Sequence, residues 1–122
     1  MMNDFKIATK IKELIYYYEK YISVLIPKSL IVIKFKLEDN LYTLIDNTVR
    51  ANVNKGNVRK KYQNEILYNI GMADFYTGIL MDKKIIKKRK FNSLINMYNV
   101  IRLMTYGWIN SDEKESLSEK NR

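Results

Sequence analysis

Six of the eight residues in KKIIKKRK, positions 83 to 90, are cationic: Lys83, Lys84, Lys87, Lys88, Arg89 and Lys90. A second cluster, Lys55, Arg59, Lys60 and Lys61, comes earlier in the chain. Cations at this density are suited to phosphate: they neutralise a nucleic-acid backbone and release its condensed counterions without reading any base. Anionic membrane surfaces and acidic proteins are the other partners that such charge attracts. Both clusters fall where helices are predicted to start. There the macrodipole is positive, and a cation costs about 0.3–1 kcal/mol where a carboxylate would help. Phosphate oxygens would reward the placement, since a helix start also offers free N–H groups. The plainer alternative is a solvated charge run, in a chain whose abundant Lys, Asn, Ile and Tyr reflect an AT-rich genome.

Other chemistries are poorly served. The chain has no histidine and no cysteine, which removes the commonest general base, the commonest metal ligand, thiolate zinc sites and disulfides. The carboxylates Glu13, Glu19, Glu38, Asp39, Asp46, Glu65 and Asp74 occur singly or as adjacent pairs. A di-iron bundle needs Glu-x-x-His pairs. The four glycines are too dispersed for a nucleotide-binding loop. The residues therefore predict a protein that is not an enzyme and holds neither cofactor nor metal. No apolar run reaches the roughly 18 residues of a membrane span, and the start MMNDFKIATK lacks a secretory core. The expectation is a soluble, cytoplasmic protein with no membrane partner.

The elements that must carry these cations follow from spacing. The 122 residues suit one domain, with 47% hydrophobic residues and a net charge of +9. Ile7, Ile11, Leu14, Ile15, Tyr18, Ile22 and Leu25 recur every three or four residues, so residues 6 to 25 form an amphipathic helix that the lone proline, Pro27, ends. Ile31, Ile33, Phe35 and Leu37 alternate like a strand. Leu37, Leu41, Leu44, Ile45, Thr48 and Ala51 follow a helical period, and no partner strand is visible, so helix is predicted throughout. Consecutive Leu30, Ile31, Val32 and Ile33 then point all round the axis, leaving a surplus apolar face for another chain.

Residues 52 to 57 form a turn, with Gly56 free to take a left-handed conformation. A third helix covers about 58 to 80, with Tyr62, Ile66, Ile70, Ala73, Tyr76 and Leu80 inward. Its Gly71 and Gly78 imply close approach of a neighbouring helix. A fourth covers about 88 to 108, with Phe91, Leu94, Ile95, Tyr98, Ile101, Thr105 and Trp108 inward and Gly107 at its end. Tyr18 belongs to the core, whereas Tyr16 and Tyr17 suit a subunit contact or base stacking. The fold class is thus all-α: an antiparallel, up-down four-helix bundle over residues 1 to 110, followed by a polar, disordered tail from 111 to 122. The two basic clusters lie at opposite ends of that bundle.

Such a basic bundle, with its helix break IPKS at 26 to 29 and its closing YGWINS at 106 to 111, resembles the accessory variability determinant family of diversity-generating retroelements. The resemblance covers about residues 7 to 111. It implies a barrel-like homopentamer of four-helix-bundle subunits. It also implies association with the retroelement's reverse transcriptase, and binding of template RNA or RNA–DNA hybrid in support of mutagenic cDNA synthesis. The ten cations of the two clusters would contact phosphate, and Leu30, Ile31, Val32, Phe35, Tyr16 and Tyr17 would supply a protein interface. A sister group, the bundle proteins of 23S rRNA intervening sequences, commonly carries an NIAEG-like segment in helix two. Here IDNTVRANVNKG stands in that place. Family members tend to be polar where this chain has Leu30, Ile31 and Val32. The alternative reading is a structural bundle that binds protein partners alone.

Overall fold

The computed structural model describes the backbone of residues 2–121 and the side chains of residues 6–121. The described chain is helical with no strand. It holds four long helices: α1 (Met2–Tyr17), α2 (Ile31–Val53), α3 (Gly56–Asp82) and α4 (Lys88–Lys120). Short connectors make sequence neighbours antiparallel, and α1 closes the ring by packing on both α2 and α4. The core is the inner stripe of each helix, including Ile11, Leu14, Leu41, Leu44, Ile66, Ile70, Leu94 and Ile101, all essentially buried. Burying each of these side chains stabilises the fold by about 1.5–3 kcal/mol.

The first helix does not end cleanly. Beyond Tyr17 the winding loosens into a π turn, Tyr18–Ile22, and then tightens into a 3₁₀ turn, Ser23–Leu25. Tyr18, Ile22 and Ile26 are all buried. Steps of four residues drift by about 40° each on a helix of 3.6 residues per turn, and the wider π winding offsets that drift. The Tyr18 hydroxyl donates to Glu38 of α2 at 2.8 Å, which ties the turn down. Burial first, and then Glu38, push the Tyr18 hydroxyl well above the usual phenol range. Ile26 is extended (ψ 116°) ahead of Pro27 (ψ 162°), as a proline requires of its predecessor.

The ambiguous segment after Pro27 is a 3₁₀ turn, Lys28–Leu30, leading into α2. Helix prevails over the alternating pattern because Leu37, Leu41, Leu44, Thr48 and Ala51 reach the core only at a helical period. The surplus is divided: Ile31, Val32 and Phe35 are exposed, whereas Leu30 and Ile33 pack on the core edge. Tyr16 is exposed and Tyr17 packs against the core. Leu30 and Tyr17 are therefore better described as core-edge residues than as a free interface.

Buried amides join α2 to α3. Asn47 donates to Asn69 at 2.8 Å, Asn69 to Asn40 at 3.1 Å, and Asn40 to the Lys36 carbonyl at 2.8 Å. Thr77 and Tyr98 share a buried hydroxyl contact of 2.8 Å between α3 and α4.

Two expectations need correction. Gly107 does not end α4, and residues 111 to 120 are not a disordered tail: the helix runs on to Lys120. No Gly or Pro follows Gly107, and Glu, Lys and Leu are good helix formers. Contacts described below hold the extension against α3. Gly71 and Gly78 also lack the close neighbour expected for them: a Cβ added at either finds nothing within 4 Å. Among the described residues no helix is long and apolar enough to cross a membrane.

Candidate nucleic-acid interface

The two basic clusters lie at opposite ends of the bundle and have different surroundings. At one end, α3 stops in a Schellman arrangement. Ile85 N–H donates to the Leu80 carbonyl and Lys84 N–H to the Met81 carbonyl, each at 2.9 Å. Lys84 occupies the left-handed position that closes such a motif, at φ 61°, where glycine is the usual residue. Ile86 is buried and Ile85 half-buried, so two apolar side chains clamp the connector to the core. The charges around them are thereby forced outward. Lys83, Lys84, Lys87, Lys88 and Arg89 are exposed and Lys90 is half-buried.

Among the described residues none of these six cations forms an ion pair, although Asp82 precedes them directly. Lys87 is the N-cap of α4, with no side-chain cap and no acid in the first turn. The first N–H groups of α4 therefore open among mobile cations, an arrangement that suits phosphate oxygens.

At the other end the cluster is largely occupied by the protein itself. Lys55 caps α3 without a side-chain bond and is exposed. Arg59 is committed inside the fold. Its Nε donates to the Ala51 and Asn54 carbonyls at 3.0 and 2.8 Å, and its Nη2 to the Asn52 carbonyl at 3.4 Å, closing the end of α2. Its Nη1 pairs with Asp112 at 3.2 Å, and the guanidinium lies 5.6 Å from the Trp108 ring centre. The Arg59 side chain is only 19% exposed. Asp112 also accepts from buried Gln63 at 3.0 Å. Lys60 pairs with Glu113 at 3.4 Å, and Lys61 lies 5.5 Å from the Tyr62 ring centre. Arg59 is thus a structural staple, which corrects its assignment as a phosphate contact. A groove of about 730 Å³ opens beside the staple, with Lys6, Lys55, Trp108, Asp112 and Glu115 among its lining.

Asp112 and Glu113 are the residues that sequence reasoning missed. Their signal is faint: an acidic pair in α4 meeting a basic pair in α3 more than fifty positions away. Among the described residues no three carboxylates converge as a metal site would require. The chain was compared with protein-family models, curated proteins and solved structures, and none of them matches it.

Proposed function

We propose that this protein is a non-catalytic, nucleic-acid-binding accessory subunit of the kind found beside the reverse transcriptases of diversity-generating retroelements. It would hold template RNA or RNA–DNA hybrid during cDNA synthesis and assemble as a homopentamer. One observation supports nucleic-acid binding best: six cations crowd one end of the bundle with no carboxylate partner among the described residues, beside uncapped helix N–H groups. Lys83, Lys84, Lys87, Lys88, Arg89 and Lys90 are the proposed phosphate contacts, with Lys55, Lys60 and Lys61 secondary. Polymerase partnership and the number five rest on the resemblance carried by IPKS and YGWINS.

The test is charge reversal of Lys87, Lys88 and Arg89 to Glu. RNA retention and cDNA synthesis are expected to be lost with the oligomer unchanged. Retention of RNA by this variant at moderate salt would remove the reading.

A second reading has its own observation. Val32, Phe35, Tyr42, Val49 and Val53 are exposed on α2 at steps that share one face. That row fits a protein-interaction module. A salt titration on random RNA separates the two, because only phosphate contacts make affinity fall steeply with salt.

A further inference from the structure

The outer face of α3 lacks the charge that a solvated helix normally carries. Between Leu67 and Met81 the only carboxylate or cation is Asp74, and Arg102 of α4 pairs with it. In a chain with 29% charged residues, four turns of helix thus present no free charge to solvent. What they present instead is ordered. Tyr68 and Phe75, seven positions apart, are 60% and 62% exposed. Gly71 and Gly78 are also seven apart and lie on the same face. Both glycines weaken a lone helix relative to alanine, and each leaves an open notch in which a Cβ would touch nothing within 4 Å.

The pattern is its own complement. Read forward it runs aromatic, glycine, aromatic, glycine, at steps of three, four and three. Read backward the steps are unchanged, with aromatics and glycines exchanged. We infer that α3 pairs antiparallel with α3 of a second copy of this chain about a two-fold axis near Ala73. Tyr68 then sits on Gly78 of the partner subunit, and Phe75 on Gly71 of the partner subunit. The same register brings Met72 and Met72 of the partner subunit to one edge of the seam, two residues or about 3 Å apart along it. It also brings the exposed Asn64 amide to the exposed carboxylate of Asp82 of the partner subunit, so polar groups finish the seam at both ends. A two-fold contact of this kind is isologous and closes on itself. A helix from a different protein would not require the order to equal its own reverse. A second copy requires it, because each knob must meet its own notch. This contact uses none of the exposed apolar residues of α2 and none of the six connector cations, although its Asp82 end borders them.

The chain has no cysteine, so introduced thiols report proximity without background. Met72→Cys is expected to oxidise to a linked dimer. A mixture of Tyr68→Cys and Gly78→Cys copies should give the mixed dimer. Tyr68→Cys alone should not link, because ten residues of helix, about 15 Å, separate its two copies and a disulfide needs Cα atoms within about 7 Å. Asn92→Cys, exposed on α4, serves as the control.

In the parent sequence, Phe75→Lys is expected to halve the native mass and raise the dissociation constant about thirtyfold or more, with helical circular dichroism unchanged. Gly71→Ala with Gly78→Ala should raise the melting temperature of the dissociated subunit while weakening association, a pair of opposite signs that a purely structural role would not produce. A native mass indifferent to Phe75→Lys, or self-linking of Tyr68→Cys as efficient as that of Met72→Cys, overturns the inference. Halving is expected whether the contact joins two lone subunits or two of the proposed pentamers, since a two-fold contact cannot pair all five subunits within one ring. It is also expected in variants that have lost RNA binding, so this reading and the proposed function fail separately.

Discussion

At the scale of single residues, two cations that look alike in the sequence have different roles. Lys84 holds a left-handed backbone at φ 61° with a free side chain. A left-handed conformation costs an L-residue about 1–2 kcal/mol that glycine avoids. Lys84→Gly is therefore expected to raise unfolding free energy by about 1 kcal/mol in a denaturant titration. It should also lower the dependence of log affinity for RNA on log salt by about 0.7–0.9, the loss of one phosphate contact. A change that stabilises the fold while weakening binding identifies a residue kept for its charge.

Arg59 should behave in the opposite way. Its removal orphans the carbonyls that end α2 and leaves Asp112 without its cation. Arg59→Ala is expected to cost about 3 kcal/mol of stability by the same titration, with little change in RNA affinity at the far end. The sequence places both residues in basic runs and offers nothing to distinguish them. The role of Arg59 is set by carbonyls of α2 and by an acid in α4, and neither is near it in the chain. The role of Lys84 is set by a capping geometry whose usual residue is absent.

At the scale of elements, apolar periodicity made the four helices legible. The stripes from Ile7, Leu37, Ile66 and Leu94 each have one register that buries them. Pro27 and the left-handed Gly56 mark two of the three connections. Helix ends were less legible. The π turn after Tyr17 arises from a tertiary demand, since Tyr18, Ile22 and Ile26 must all face inward. The extension of α4 depends on Arg59, Lys60 and Gln63 receiving Asp112 and Glu113. Its polar composition alone reads as a tail.

Ending the chain after Ser111 removes that pair of acids. The truncated protein is expected to lose about 1–3 kcal/mol, the cost of leaving buried polar partners unmatched, measured by thermal unfolding. Because Arg59 and Lys60 also lose their carboxylates, RNA affinity should rise and its salt dependence should steepen. An unchanged salt slope would show that the α3 start takes no part in binding.

At the scale of the molecule, the charge is polarised rather than uniformly basic. The end around the α3–α4 connector carries cations that have no ion-pair partner among the described residues, whereas the end around the α2–α3 turn is covered by the acids of α4. This asymmetry could not be read from a net charge of +9, which is a sum over both ends. If the six connector cations each neutralise a phosphate of single-stranded RNA, log affinity should fall with log salt at a slope of about −4, measured by fluorescence anisotropy. The Lys87, Lys88 and Arg89 reversal should flatten that slope by at least half. A slope near zero in the parent protein would leave the connector as solvated surface.

The row of asparagines between α2 and α3 bears on how such a molecule finds a single shape. Aliphatic stripes slide past one another easily, because one turn of displacement, about 5.4 Å, exchanges one leucine or isoleucine contact for another. Asn40, Asn47 and Asn69 resist such exchange: displaced by a turn, their amides would lie buried with no one to answer them, at about 1–3 kcal/mol apiece. The α2–α3 hairpin thereby works as the combination lock of the bundle, opening to one alignment and setting the frame against which α1 and α4 must settle.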